Sequence, residues 1–97
     1  MMKIGFDPWK NARNIEDRGL PFDGAALLDW ESAIVRRDRR KDYSEIRYQA
    51  LVEDVDGKPY VVVFTRRGDT MWVISFRRAH DKERTSYGEK ARSLQDR

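Results

Sequence analysis

The architecture rests on one apolar run, Tyr60-Val61-Val62-Val63-Phe64-Thr65. β-Branched and aromatic residues favour an extended chain, and here both alternating sets of side chains are largely apolar. A strand of that composition is usually covered on both of its faces. We therefore expect this run to form the central strand of a β-sheet.

Strand-like segments flank the central run on both sides. Residues 46–53 alternate between two sets of side chains, which predicts a half-buried strand. Asp56-Gly57 and Arg67-Gly68-Asp69 are turn signals. Residues 71–76 predict a third strand, whose two faces carry Met71, Val73 and Ser75 on one side and Trp72, Ile74 and Phe76 on the other. Three strands joined by two tight turns form an antiparallel meander.

The N-terminal third of the chain predicts shorter elements. Lys3–Phe6 fits an edge strand, and Asp7-Pro8 fits the start of a helix that ends at Gly19. A second short helix is expected from Gly24 to about Trp30, packing on the sheet through Phe22, Ala25, Ala26, Leu27 and Trp30. Ile34-Val35 predicts a short strand, and the charged residues 36–42 predict a mobile, exposed loop.

A final helix is expected after Ala79. The sequence His80-Asp81-Lys82-Glu83 resembles a capping box, and one helix face would carry Glu83, Tyr87, Ala91 and Leu94. We expect residues 92–97 to fray. The prediction is one domain over residues 1–97, of the α+β class, with short helices and a C-terminal helix packed on one face of an antiparallel sheet.

The composition excludes several classes of function. The chain has 97 residues, one His and no Cys, so disulfides, thiolate catalysis and Cys- or His-rich metal sites are excluded. No acidic cluster has metal-ligand spacing, and no glycine loop fits a phosphate. No apolar run approaches the roughly 20 residues of a membrane span, and the start lacks a signal-peptide core. We expect a cytoplasmic protein without metal, cofactor or membrane partner.

Positive charge is concentrated in the last third of the chain. Residues 66–97 carry nine Lys/Arg and five Asp/Glu, whereas residues 1–65 carry eleven and twelve. A basic patch of this kind attracts polyanions, above all nucleic acid. The alternative is that these side chains are only solvated on a final strand and helix, and charge alone leaves both interpretations open.

Arginines mark the predicted strands: they are Arg47, Arg66, Arg67, Arg77 and Arg78. Adjacent strand residues point to opposite faces, so we expect Arg77 on the face of Val73 and Arg78 on the face of Phe76. A planar guanidinium suits bidentate contact with phosphate. Such groups can neutralise the crowded phosphate during metal-free RNA cleavage, but they do not deprotonate and cannot serve as the base.

An acid or base must therefore come from another residue. Glu83 and Tyr87 lie one helical turn apart just after Arg77, and His80 is the only histidine. Each has a purely structural alternative. Glu83 can cap its helix, Tyr87 can pack in the core, and His80 can simply begin the helix.

Several motifs together resemble the BrnT family of toxins. They are Phe6-Asp7-Pro8-x-Lys10, Asn14, Gly19-x-x-Phe22, Glu45-x-Arg47, Val61–Asp69, Ile74–Ala79, Glu83-Arg84 and Tyr87. The resemblance covers nearly the whole chain and implies a RelE-like fold and a ribonuclease that arrests translation. It matches recurrent polar residues of the family at Lys10, Arg47, Arg67, Arg77 and Glu83, which become our candidate catalytic residues. The candidate RNA-binding residues are Arg66, Trp72, Arg78, Arg84 and Tyr87.

The resemblance also implies partners. A BrnA-type antitoxin with a ribbon-helix-helix domain would bind the toxin, in an expected heterotetramer, and would contact operator DNA on its behalf. An exposed Trp30 or Trp72 would suit as an anchor for that antitoxin. Core placement is the alternative for either tryptophan.

Two departures from the family pattern bear on activity. The first helix ends in Asp17-Arg18-Gly19, where the family commonly has Lys-His-Gly. Trp72 replaces a cation of the third strand, so the chain either loses a phosphate contact or gains a surface on which a base stacks. The leading hypothesis is a metal-independent endoribonuclease. The alternatives are a lapsed toxin that only binds RNA or its antitoxin, and a basic module unrelated to toxins.

Overall fold

The computed structural model describes residues 2–87. Its elements in chain order are β1 (Lys3–Phe6), α1 (Pro8–Arg18), a 3₁₀ helix (Phe22–Leu27), β2 (Asp29–Arg37), β3 (Arg47–Glu53), β4 (Pro59–Arg67), β5 (Thr70–Arg78) and a helical segment over residues 81–87, called α2 below. The strands form one sheet in the spatial order β1-β5-β4-β3-β2. The predicted positions of Ala91, Leu94 and residues 92–97 lie outside the described residues.

The sheet is mixed rather than wholly antiparallel. Strands β2 to β5 are consecutive antiparallel neighbours, and β4 is central as expected. However, β1 pairs with β5 in parallel, with Gly5 opposite Trp72. The α+β class is confirmed, whereas the prediction of a purely antiparallel sheet is wrong. It failed because α1 and the 3₁₀ helix give the chain enough length to cross over and place β1 beside the last strand.

Both ends of α1 follow from its capping residues. The Asp7 carboxylate accepts a hydrogen bond from the Trp9 backbone N–H, and Gly19 ends the helix with a φ of 70°. Asn14 is the buried residue of α1, and its Nδ2 donates to the carbonyls of Leu20 and Phe76 at 2.8 and 2.9 Å. One amide therefore fastens the helix to β5.

The second predicted helix is shorter and lies earlier than expected. Phe22 and Ala25 are buried in it, but Leu27 is 80% exposed. Trp30 lies in β2, where its indole N–H donates to the Ala25 carbonyl at 2.7 Å and its ring packs edge-on against Phe64. The strand predicted at Ile34-Val35 is in fact nine residues long.

Helices cover both faces of the sheet, so the expectation that they share one face is wrong. The 3₁₀ helix packs on what we call the core face, whose buried residues are Ala50, Val52, Val62, Phe64, Met71, Val73 and Phe76. On the other side, the α2 face, Tyr87 covers a smaller cluster made of Leu51, Val61 and Val63. This second layer also explains why β3, expected to be half-buried, is buried on both sides.

An irregularity in β5 changes which residues face the site. Val63 pairs with Ser75 and Phe64 pairs with Val73, so Ile74 is an extra residue on β5. A bulge of this kind resets the alternation of side chains. Arg77 consequently lies on the face opposite Val73, and the predicted grouping of these two residues is wrong. Phe76 and Val73 share the core face.

Among residues 2–87, no helix is long and apolar enough to cross a membrane.

Candidate functional site

The two pairs of arginines lie at opposite ends of the sheet. Arg67 is next to the β4–β5 turn, whereas Arg77 pairs with Val61 near the start of β4. Arg67 lies six residues beyond Val61 on β4, which is roughly 20 Å of strand. Arg66 and Arg78 pair with core-face neighbours and lie on the other side of the sheet from Arg67 and Arg77. The arginines therefore form separate sites and do not converge.

Arg77 is held by Glu83 through two parallel hydrogen bonds. Its Nη1 and Nη2 donate to the two carboxylate oxygens at 2.7 and 2.8 Å, and the side chains are 31% and 21% exposed. The same carboxylate accepts from the backbone N–H of His80 at 2.8 Å, so the Glu83 half of the predicted capping box is present. The Arg77 guanidinium lowers the pKa of Glu83 to about 2.

Arg36 lines the same cleft as Arg77. Its Nε donates to the Gln49 side-chain oxygen at 3.0 Å, and its guanidinium carbon lies 4.0 Å from the centre of the Tyr87 ring. The Tyr87 hydroxyl donates to the same Gln49 oxygen at 3.3 Å. Tyr87 is 1% exposed, and this burial raises its pKa. In this conformation Tyr87 supports Arg36 from below and offers no open ring face to a base.

A third arginine is oriented by a buried aspartate. Asp38 is 3% exposed, and its oxygens accept from Nε and Nη2 of Arg40 at 2.9 and 2.8 Å. Tyr43 donates to the same carboxylate at 3.2 Å, and the Arg40 hydrogen bonds lower the pKa of Asp38 to about 2. The expectation of a freely exposed loop is wrong at Asp38, because this ion pair anchors the chain.

Together these residues form what we call the arginine cleft, of about 400 Å³, lined by Arg36, Arg37, Asp38, Arg39, Arg40, Gln49, Arg77 and Glu83. Sequence reasoning found only Arg77 and Glu83. The signal for the others is the charged run at residues 36–42, whose composition predicts a solvated loop. Gln49 gave no signal, since a polar residue on a strand ordinarily faces solvent.

A second group, the turn cluster, surrounds the predicted residues Arg47 and Arg67. Arg67 donates through Nε and Nη2 to Glu45 at 3.1 and 2.8 Å, and its guanidinium carbon lies 4.1 Å from the centre of the Trp72 ring. Arg47 stacks on Tyr43 at 4.0 Å. The hydrogen bonds from Arg67 lower the pKa of Glu45.

The other predicted residues lie outside both groups. Lys10 is exposed on α1. Arg84 donates to the Gly57 carbonyl at 3.1 Å and lies 3.5 Å from Glu53, which links α2 to the β3–β4 turn. Arg18, in the position where the resemblance leads one to expect histidine, donates to Asn14 and Ser75 at 2.9 and 3.2 Å.

The arrangement supplies cationic binding more readily than proton transfer. Five arginines line one cleft, and the guanidiniums of three of them, Arg36, Arg40 and Arg77, are each oriented by a different partner. Three carboxylates each accept two hydrogen bonds from one arginine, and all three, Asp38, Glu45 and Glu83, have lowered pKa values, which makes them weak bases while they are paired. Within residues 2–87, no group of three or more His, Asp or Glu side chains is placed to hold a metal ion.

Comparisons with known proteins find similarity over most of the chain. A family model described as the ribonuclease toxin BrnT of a type II toxin-antitoxin system matches residues 6–83. A crystal structure of the ribonuclease toxin BrnT from Brucella abortus is 32% identical, with a TM-score of 0.61, and the match covers 84% of this chain and 100% of that one. No curated protein matches the sequence.

Proposed function

Because the chain belongs to the BrnT family of ribonuclease toxins of type II toxin-antitoxin systems, we propose that it cleaves RNA in the arginine cleft without a metal ion. One observation carries this proposal: Arg36, Arg40 and Arg77 border a single cleft of about 400 Å³. Fixed guanidiniums can stabilise the negative charge that develops on a phosphate during cleavage. In that role they replace the cation that a metal would otherwise supply.

Arg77 is the central phosphate ligand in this mechanism. Its two donors now hold Glu83, and an entering phosphate would present similar oxygens in the same geometry. Exchange of one anion for the other frees the carboxylate beside the bound phosphate. Once unpaired, Glu83 recovers a pKa closer to its usual value of 4.5 and becomes a better base for a 2′-hydroxyl.

The test compares Arg77→Ala with Arg13→Ala on a fluorescent RNA in the presence of EDTA. Arg13 is exposed on α1 and forms only a surface pair with Asp17, so its replacement removes the same charge away from the cleft. We expect Arg77→Ala to lower the cleavage rate by about a hundredfold or more and Arg13→Ala to leave it unchanged. Cleavage that EDTA abolishes, or that survives in folded Arg77→Ala, would contradict the proposal.

A non-catalytic RNA-binding protein is the second candidate. It is favoured by the pairing of Glu83 with Arg77 and by Arg18 in the position of the family's common histidine. Binding without chemistry would give RNA that stays intact after long incubation, with an affinity that falls steeply as salt rises. The same EDTA experiment, run to completion, separates the two candidates.

The family implies an antitoxin and an RNA substrate. We propose that the antitoxin is BrnA-like, with a ribbon-helix-helix domain that contacts operator DNA, and that the complex is a heterotetramer acting in the cytoplasm. A RelE-like relationship belongs to the same proposal, supported by the four consecutive antiparallel strands. Induction in a bacterial host, with and without the neighbouring gene, is expected to give growth arrest that the neighbour relieves. An anchor at Trp30 or Trp72 stays a prediction.

A further inference from the structure

The turn cluster contains a layered stack built on a glycine. Gly5 of β1 lies directly opposite Trp72 of β5, and a Cβ at Gly5 would approach the Trp72 ring to 2.8 Å. The missing side chain lets the indole lie against the edge strand. On the indole, the Arg67 guanidinium sits 4.1 Å from the ring centre. The order of layers is backbone, indole and guanidinium.

Glu45 occupies the edge of Arg67 that ordinarily binds a phosphate. Nε and Nη2 both donate to this carboxylate, at 3.1 and 2.8 Å. While Glu45 holds both of these donors, the guanidinium cannot also make bidentate contact with RNA. It still presents a flat surface, and its side chain is 47% exposed. In this paired state Arg67 therefore offers RNA its planar surface, whereas a phosphate contact would require release of Glu45.

Arg47 repeats the pattern beside the first stack. It pairs with Thr65, two residues before Arg67 on β4, and its guanidinium lies 4.0 Å from the centre of the Tyr43 ring. Two arginine–aromatic stacks thus stand next to each other at one end of the sheet, on the face that also carries Arg77. Measured along β4, Arg47 lies roughly 13 Å and Arg67 roughly 20 Å from the level of Arg77, distances that a few nucleotides of extended single strand can span.

We propose that the turn cluster is a subsite that stacks unpaired bases of a single-stranded RNA whose cleaved phosphate lies in the arginine cleft. Bases stack on guanidinium planes as well as on aromatic rings, and every base has such a face. The subsite therefore holds the strand without reading a particular sequence. Arg67 is its central binding residue, and Trp72 is the positioning residue that holds the guanidinium in place. This inference rests on the proposed RNA substrate but does not require cleavage.

The test uses 2′-O-methyl oligonucleotides, which lack the 2′-hydroxyl needed for cleavage and so report binding alone. Fluorescence anisotropy would compare an intact strand of about ten nucleotides with strands carrying one abasic site at each position in turn. One or two positions are expected to lose about tenfold or more in affinity, since one base stack is worth about 1–3 kcal/mol. The set of affinities against the position of the abasic site is called the abasic profile. A flat profile, in which every strand binds equally well, would overturn the proposal. It is the result expected if the cluster binds an acidic protein.

Arg67→Lys separates stacking from charge. Lysine keeps the positive charge but lacks the planar group, so we expect the abasic profile to flatten while the salt dependence of binding stays the same. Arg13→Lys makes the same exchange on exposed α1 and should retain the wild-type profile. Trp72→Leu provides a second variant of the stack, with thermal unfolding as the check that each variant folds. An abasic profile that persists in both folded variants would overturn the assignment.

The outcomes distinguish this inference from the proposed function. Base-dependent binding with no cleavage of natural RNA would leave the subsite standing and remove the catalytic proposal. Cleavage of natural RNA by a protein with a flat abasic profile would support the catalytic proposal and remove the subsite.

Discussion

Arg77 and Glu83 face each other through two hydrogen bonds of 2.7 and 2.8 Å, and this pair joins the end of β5 to the first turn of α2. The contact neutralises the best-placed phosphate ligand of the cleft and fixes the helix that covers the sheet. Binding of a substrate and local opening of this pair are therefore linked, because a phosphate and Glu83 compete for the same two donors.

Glu83→Gln tests whether the carboxylate takes part in the chemistry. Glutamine can still accept from the His80 N–H, but it cannot take up a proton and it binds Arg77 more weakly. We expect cleavage to fall by about a hundredfold, as for a lost general base, while affinity for an uncleavable RNA is unchanged or rises. Single-turnover rates and binding isotherms would check both. A wild-type cleavage rate would assign Glu83 a positioning role only.

The same pair predicts loss of stability in acid. The pKa of Glu83 is lowered from 4.5 to about 2, so its contribution is complete above pH 5 and disappears as the pH falls toward 2. For a pair that remains partly exposed we expect about 1–2 kcal/mol. Urea unfolding at pH 6 and pH 2.5 would measure it. The difference between wild type and Glu83→Gln should shrink in acid, and a constant difference would contradict the assignment.

Asn14→Ala is expected to loosen α1 from the sheet. The substitution removes both donors to the Leu20 and Phe76 carbonyls, at 2.8 and 2.9 Å, and leaves those acceptors without them. A buried acceptor left unpaired costs about 1–3 kcal/mol. Thermal unfolding would report the loss. Ala12→Ser, exposed in the same helix, is a control whose effect should stay within about 0.5 kcal/mol.

Much of the fold was predictable because local signals agreed with tertiary packing. Asp7 and Gly19 mark the two ends of α1, and the apolar run around Val62 is the central strand. The parallel partner of β5 could not be deduced, since a four-residue strand carries no sign of its neighbour's direction. The bulge at Ile74 was equally hidden, because an apolar residue fits either side of a strand covered on both faces.

The site was less predictable than the fold. Residue type points to Arg67 and Arg77 as candidates. It does not show that antiparallel pairing places them at opposite ends of β4. Arg36 and Arg40 lie in a charged run. The positions of their side chains depend on hydrogen bonds to Gln49 and Asp38. Such contacts are set by tertiary structure, and no spacing in the sequence encodes them.

Arg77 and Arg78 are neighbours on opposite faces of the sheet, so we expect their substitution to weaken RNA binding unequally. Arg77 borders the cleft, whereas Arg78 pairs with Tyr60 on the core-face side. We expect Arg77→Ala to weaken binding of an uncleavable RNA by about tenfold and Arg78→Ala by less than threefold, since both remove one charge but only one lies in the cleft. Anisotropy at two salt concentrations would compare them. Equal losses would mean that RNA wraps both faces.

Gly5→Ala is expected to disturb the Trp72 stack. The added Cβ would approach the ring to 2.8 Å and the Thr70 side chain to 3.0 Å, so the indole must move. We expect a cost of about 1–3 kcal/mol, typical of overpacking, together with a shift in tryptophan emission. The same substitution at Gly24, whose nearest neighbour would be 3.4 Å away, should cost less. Equal costs at both positions would contradict the tight contact.

The pairing of β1 with β5 also governs the order in which the molecule is assembled. Strand β1 finds its partner only after about seventy further residues have been synthesised, because its register partners are Thr70 to Val73. Contacts of such long sequence separation form late. A nascent chain therefore lacks a completed sheet until β5 has been made, and Arg77 lies four residues beyond the last of these partners. Because Arg77 and Glu83 both follow the strand that completes the sheet, the arginine cleft cannot form before that strand has emerged.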